Sequence, residues 1–74
     1  MAKQALTAWL QREDDVWVAL CPELDVASQG NTIEEARTNL KEAVELFLEC
    51  ASPDELRQRL HTETYMSSLE VEVG

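Results

Sequence analysis

The feature that most constrains this chain is the stretch Gly30-Asn31-Thr32-Ile33-Glu34-Glu35-Ala36. A threonine hydroxyl at a helix N-cap accepts from the backbone N–H three residues on, and a glutamate at that third position reaches back to the cap. Thr32 and Glu35 stand at this spacing, so a helix opens at Ile33. Gly30, just before it, lets the chain turn without a Cβ penalty. Apolar residues then recur at Ile33, Ala36, Leu40, Ala43, Val44, Phe47 and Ala51, one stripe at the helical period. The helix is predicted from Ile33 to about Cys50, and its stripe needs a sheet to cover.

The sheet lies upstream. Ala5 to Gln11 alternates Leu6, Ala8 and Leu10 with Ala5, Thr7 and Trp9, the period of a strand. Arg12-Glu13-Asp14-Asp15 breaks it with turn-tolerant aspartates. Val16 to Cys21, rich in β-branched and aromatic side chains, is the second strand. Two registers are open to this hairpin. A two-residue loop places Trp9 beside Val18 on one face and Trp17 with Leu10 on the other. A loop one residue longer or shorter gathers Leu6, Ala8, Leu10, Val16, Val18 and Leu20 on one face and leaves Trp9, Trp17 and Ala19 on the opposite one. The second is preferred here, because it offers the helix one continuous aliphatic platform. Pro22 lacks a donor and ends the second strand. Leu24 to Gln29 is a third, shorter strand.

Past the long helix, Ser52-Pro53-Asp54-Glu55 starts a second, shorter helix with its own capping box and a proline at the favoured first position. Arg57, Arg59 and His61 lie towards its end, where the helix dipole favours positive charge. Ser68 to Val73 then alternates Leu69, Val71 and Val73 with Glu70 and Glu72, a last strand with one apolar face. The order β-β-β-α-(short α)-β describes an α+β fold: a mostly antiparallel sheet with one main helix on a face. Residues 1–74 form a single domain.

Charge and composition limit what such a domain can do. The chain carries 15 acidic and 6 basic side chains, a net charge of -9. That surface repels nucleic-acid phosphates and anionic membranes and attracts basic proteins. Glycine occurs only at positions 30 and 74, so there is no phosphate-cradling loop. No apolar run could span a bilayer or serve as a signal peptide, so a cytoplasmic location is expected. Cys21 and Cys50 with His61 do not make a zinc site, and both cysteines are expected as free thiols. No catalytic group, metal or cofactor is expected. His61 is expected as a surface side chain at a helix end.

Sticky surface is the remaining signal. Trp9 and Trp17 are candidate apolar anchors for a partner, since tryptophan is favoured at binding hot spots. Glu13, Asp14, Asp15, Glu23 and Asp25 are the candidate acidic surroundings. Leu46, well off the helical stripe, is a candidate contact between copies, and a homodimer or larger assembly is expected at this chain length.

The run Val16-Trp17-Val18-Ala19-Leu20-Cys21-Pro22-Glu23-Leu24-Asp25 through to Ala36 resembles the signature of the HicB antitoxin family. That signature is a strand, then Pro-Glu-Leu, a short strand, Gly-x-Thr, Glu-Ala, and a helix carrying Asn and Glu-Ala. Here it falls on Pro22, Glu23, Leu24, Gly30, Thr32, Glu35, Ala36, Asn39, Leu40, Glu42 and Ala43. The resemblance implies a partial ribonuclease-H-like fold without ribonuclease H catalysis. It further implies binding to, and neutralisation of, a small basic RNA-cleaving toxin of the HicA type. Full-length members of that family add a C-terminal DNA-binding domain, which is not expected within this chain. Two other classes stand beside this one: a divalent-metal-dependent enzyme using Glu23 and Asp25, and a stand-alone oligomeric ligand-binding scaffold without a toxin partner.

Overall fold

Asp14 and Asp15 alone join the first two strands. The computed structural model describes residues 5–60 and 65–74. Strand β1, Trp9–Glu13, pairs antiparallel with β2, Val16–Cys21, with Glu13 opposite Val16 and Trp9 opposite Leu20. Asp14 takes a positive φ of 53°, which aspartate tolerates better than most side chains, so this tight turn forms without glycine. Strand β3, Val26–Gly30, pairs antiparallel with the other side of β2 and gives the order β1-β2-β3.

This register corrects the preferred one. Leu10, Trp17, Ala19 and Cys21 share the face that meets the long helix, and Trp9, Val16, Val18 and Leu20 share the other. The physical reason is proximity. Helix α1, Ile33–Cys50, follows β3 directly and lies mostly over β3 and β2, barely touching β1. A Cβ on Gly30 would sit 2.5 Å from the Ala36 backbone nitrogen and 2.9 Å from the Glu35 carbonyl carbon. An approach this close needs small residues beneath the helix. Ala19, Cys21 and Ala36 supply them, and with Leu24 and Leu40 they form the buried core. Val18 or Leu20 at the fully buried positions of Ala19 and Cys21 would crowd the helix there. Gly30 itself is not a turn residue: it is the last residue of β3 and its φ is not positive.

The capping box forms with one change. Glu35 N–H donates to Thr32 Oγ1 at 3.0 Å, while the Glu35 carboxylate accepts from the N–H of Asn31, at 3.3 Å, and not from that of Thr32. Asn39 Nδ2 donates to the Gln29 carbonyl at 2.8 Å and ties α1 to β3. Val44, Phe47 and Leu48 continue the packed stripe, with Trp17 partly buried against the same cluster. Ile33, expected in the stripe, is exposed.

Helix α2, Pro53–Leu60, starts where its capping box places it, with Glu55 N–H donating to Ser52 Oγ at 3.1 Å. Arg59 reaches back across the fold. Its Nη1 donates to the Leu24 carbonyl at 3.1 Å, and its guanidinium lies 6.0 Å from the centre of the Phe47 ring. His61 lies outside the described residues. Ser68 to Val73 forms no strand: this segment has no ladder partner, and Leu69, Val71 and Val73 are exposed. The α+β reading and the order β-β-β-α-α stand, and no final strand forms among the described residues.

The close approach at Gly30 is open to direct measurement. Gly30→Ala is expected to lower stability by about 2 kcal/mol in urea, because backbone rather than a side-chain tip must move. Thr32→Ala is expected to cost about 1 kcal/mol and Thr32→Ser much less. A Gly30→Ala protein as stable as the parent would show that α1 does not sit this close.

Candidate functional site

In the observed register, Thr7 falls opposite Pro22, which has no N–H to offer a ladder. Glu23 takes over. The Thr7 backbone N–H donates to both Glu23 carboxylate oxygens at 3.1 Å, and its hydroxyl donates to Oε2 at 2.7 Å. The Cys21 thiol donates to Oε1 at 3.5 Å. Residues 5–8, expected as the start of the first strand, are therefore held by a side chain and not by strand pairing. Glu23, expected on a partner-binding surface, is an internal tether. The signal for this was the proline one residue before it.

Partial burial pushes the Glu23 carboxyl up. Hydrogen bonds from the Thr7 side chain, the backbone N–H groups of Glu23 and Thr7, and the Cys21 thiol outweigh it and hold the group below the ordinary glutamate range. Burial chiefly raises the Cys21 thiol, with the Glu23 charge adding to it and the backbone of Leu24 and Glu23 partly opposing. Cys21 is therefore an inert, protonated core residue. Cys50 is free and exposed.

The candidate interface lies on the face of the sheet that α1 leaves bare. Cross-strand pairing sets its rows: Trp9, Leu20 and Ala27 in one, Gln11, Val18 and Gln29 in the next, Glu13 and Val16 in the last. Trp9 is 49% exposed. Val16, Val18 and Leu20 are half-buried. Trp17 is not part of this surface. It points to the helix side, so the two tryptophans do not form a common anchor.

The acidic candidates separate as well. Asp14 and Asp15 form the hairpin tip beside Glu13, and all three are exposed. Asp25, also exposed, ends the turn between β2 and β3, with a positive φ of 55°. The two groups lie at opposite ends of β2, about 20 Å apart at the rise of a strand. They bracket the bare face rather than cluster. Leu46 is 61% exposed on α1. Among the described residues, no group of three or more His, Cys, Asp or Glu side chains is placed to hold a metal ion. None of the described helices is long and apolar enough to cross a membrane.

Fold and surface together define a small acidic α+β domain with one helix-covered and one bare sheet face. The chain belongs to the UPF0150 family. The UPF0150 protein ssl0738 of Synechocystis sp. is 45% identical to it over 49 residues, which are 64% of this chain and 68% of that one. No protein-family model matches the chain. No solved structure matches it either.

Two measurements check this chemistry. In the native protein one thiol, Cys50, is expected to react promptly with a thiol reagent, and Cys21 only on unfolding; two promptly reactive thiols would contradict the burial of Cys21. A carboxyl whose folded pKa is depressed adds stability above its unfolded value, and that stability disappears as pH falls through the folded value. Glu23→Gln is therefore expected to be about 1 kcal/mol less stable than the parent at pH 7, a modest loss for a charge half in water. The gap should shrink as pH drops below the ordinary glutamate range. A gap that is constant with pH would mean that the Glu23 charge does not hold Thr7.

Proposed function

We propose that this domain is a non-enzymatic, antitoxin-like binding protein that masks a small basic RNA-cleaving toxin of the HicA type. The observation that carries this reading is the bare sheet face, where Trp9 and Leu20 lie side by side between acidic groups at both ends of β2. A half-exposed tryptophan beside aliphatic residues is the composition of a binding hot spot. Glu13, Asp14 and Asp15 at one end and Asp25 at the other give it the charge that a basic surface selects, on a chain of net charge -9. A protein that occupies a toxin's RNA site in this way competes with phosphate by supplying carboxylates. The UPF0150 relationship and the resemblance to HicB antitoxins point to the same class of role.

The metal-dependent alternative finds no such support. It needs the Glu23 carboxylate free, and that carboxylate already accepts from Thr7 and Cys21.

The test is titration of this chain into a purified small basic toxin of the HicA type, by calorimetry and by protection of RNA from cleavage. Affinity is expected to fall as salt rises, because attraction between exposed charges is screened over about 8–10 Å. Charge reversal at Asp14 and Asp15 should mainly slow association. Trp9→Ala should mainly speed dissociation, at a cost of about 2 kcal/mol or more. Trp17→Ala should act through stability. An absence of any complex at low salt, or RNA cleavage unchanged at saturating antitoxin, would contradict the reading.

A further inference from the structure

Helix α1 leaves two features of the sheet unfilled, and the first lies beside β1. Because α1 sits over β3 and β2, an open groove of about 830 Å³ remains between it and the start of the chain. Leu6, Ala8, Leu40, Val44 and Leu48 line it together with the charged Arg37, Lys41 and Glu45. The outer edge of β1 runs alongside, with no neighbouring strand among the described residues. At the opposite edge, Asn39 claims the Gln29 carbonyl of β3, so β1 is the less protected edge.

The second feature is an apolar segment with nothing to cover it. Leu69, Val71 and Val73 are 85%, 69% and 91% exposed, alternating with Glu70 and Glu72 at the period of a strand. At these exposures the segment packs little against the rest of its own chain. The radius of gyration is 14.3 Å, against about 11 Å for a compact chain of this length.

We propose that Ser68–Val73 of one copy adds as a strand along the outer edge of β1 in a second copy, with Leu69, Val71 and Val73 turned into the groove beneath α1. Six residues span about 20 Å, enough to run the full length of the five-residue β1. Turning the aliphatic side chains inward sends Glu70 and Glu72 to the solvated face. Strand addition supplies main-chain hydrogen bonds to an edge with no neighbouring strand among the described residues, and the alternating side chains fix the register. Reciprocal exchange closes as a two-fold dimer, in which each copy completes the other's sheet. The occupant is a second copy because the segment packs little against its own chain and adds no strand to its own open edge. This interface uses the edge and groove, so it is independent of what the bare sheet face binds.

Light scattering on the full chain is expected to give twice the 8.4 kDa of one chain. Val71→Asp should reduce it to a single chain with its helical circular dichroism retained, since Val71 touches nothing in its own core. Leu46→Glu, outside the groove, should leave the dimer intact. Mixing isotope-labelled with unlabelled protein should give contacts between copies from Leu69 and Val71 to Ala8, Val44 and Leu48; this measurement stands even if the variant fails to fold. A parent protein of single-chain mass at every concentration would overturn the proposal, and contacts from Val71 to the groove of its own chain would identify a return within one copy. A dimer that survives Val71→Asp and is lost in Leu46→Glu or Trp9→Ala would also overturn it, placing the interface on the helix or the bare face.

Discussion

The structure depends on how closely α1 can approach the sheet at Gly30. The absent Cβ there leaves room for the backbone of Glu35 and Ala36. Once Gly30 faces the helix, strand periodicity assigns every other position. Trp17 lies opposite Gly30, so Trp17, Ala19 and Cys21 face the helix, and Val16, Val18 and Leu20 turn away. The two-residue turn at Asp14-Asp15 carries the same parity into β1, placing Leu10 inside and Trp9 outside. A one-residue slip of β2 against β3 would put Val18 and Leu20 where alanine and cysteine now pack beneath the helix, and a slip of β1 against β2 would turn Leu10 outward. The bare apolar face is thus a direct consequence of the close contact on the other side.

Much of this was legible in the residues. Thr32 with Glu35, and Ser52 with Glu55, mark both helix starts, because a cap works through local hydrogen bonds at fixed spacing. Pro22 marks the end of β2 for an equally local reason. The hairpin register was not legible, because it is decided by which side chains fit beneath α1, a contact between residues far apart in sequence. Preferring an aliphatic platform for the helix overlooked that small residues, not large ones, let a helix come close. The role of Glu23 was hidden for a related reason: its partner Thr7 is 16 residues away. Leu69, Val71 and Val73 carry a true strand pattern, but a pattern cannot say which molecule supplies the neighbouring strand.

Size explains why so much apolar surface stays outside. Among the described residues, Leu24 and Leu40 are the large aliphatic side chains in the fully buried core, and each contributes about 1.5–3 kcal/mol by burial. Capping, the Glu23 tether and the Arg59 reach to Leu24 reinforce a core that is small for the chain it orders. Such a domain gains from every surface it can cover. The bare face with Trp9, and the groove beside β1, are two separate places where association would do so, one suited to a basic partner and the other to a strand from a second copy.

Proton–proton contacts in solution distinguish the two possible assignments of the sheet faces. The observed register requires contacts from the Ala19 methyl and Cys21 β-protons to Ala36 and Leu40, and from the Trp9 indole to the Leu20 methyls, with none from Val18 or Leu20 to α1. Contacts from the Val18 or Leu20 methyls to Leu40 would mean that the hairpin has the other register, and would remove the bare apolar face on which the proposed binding role rests.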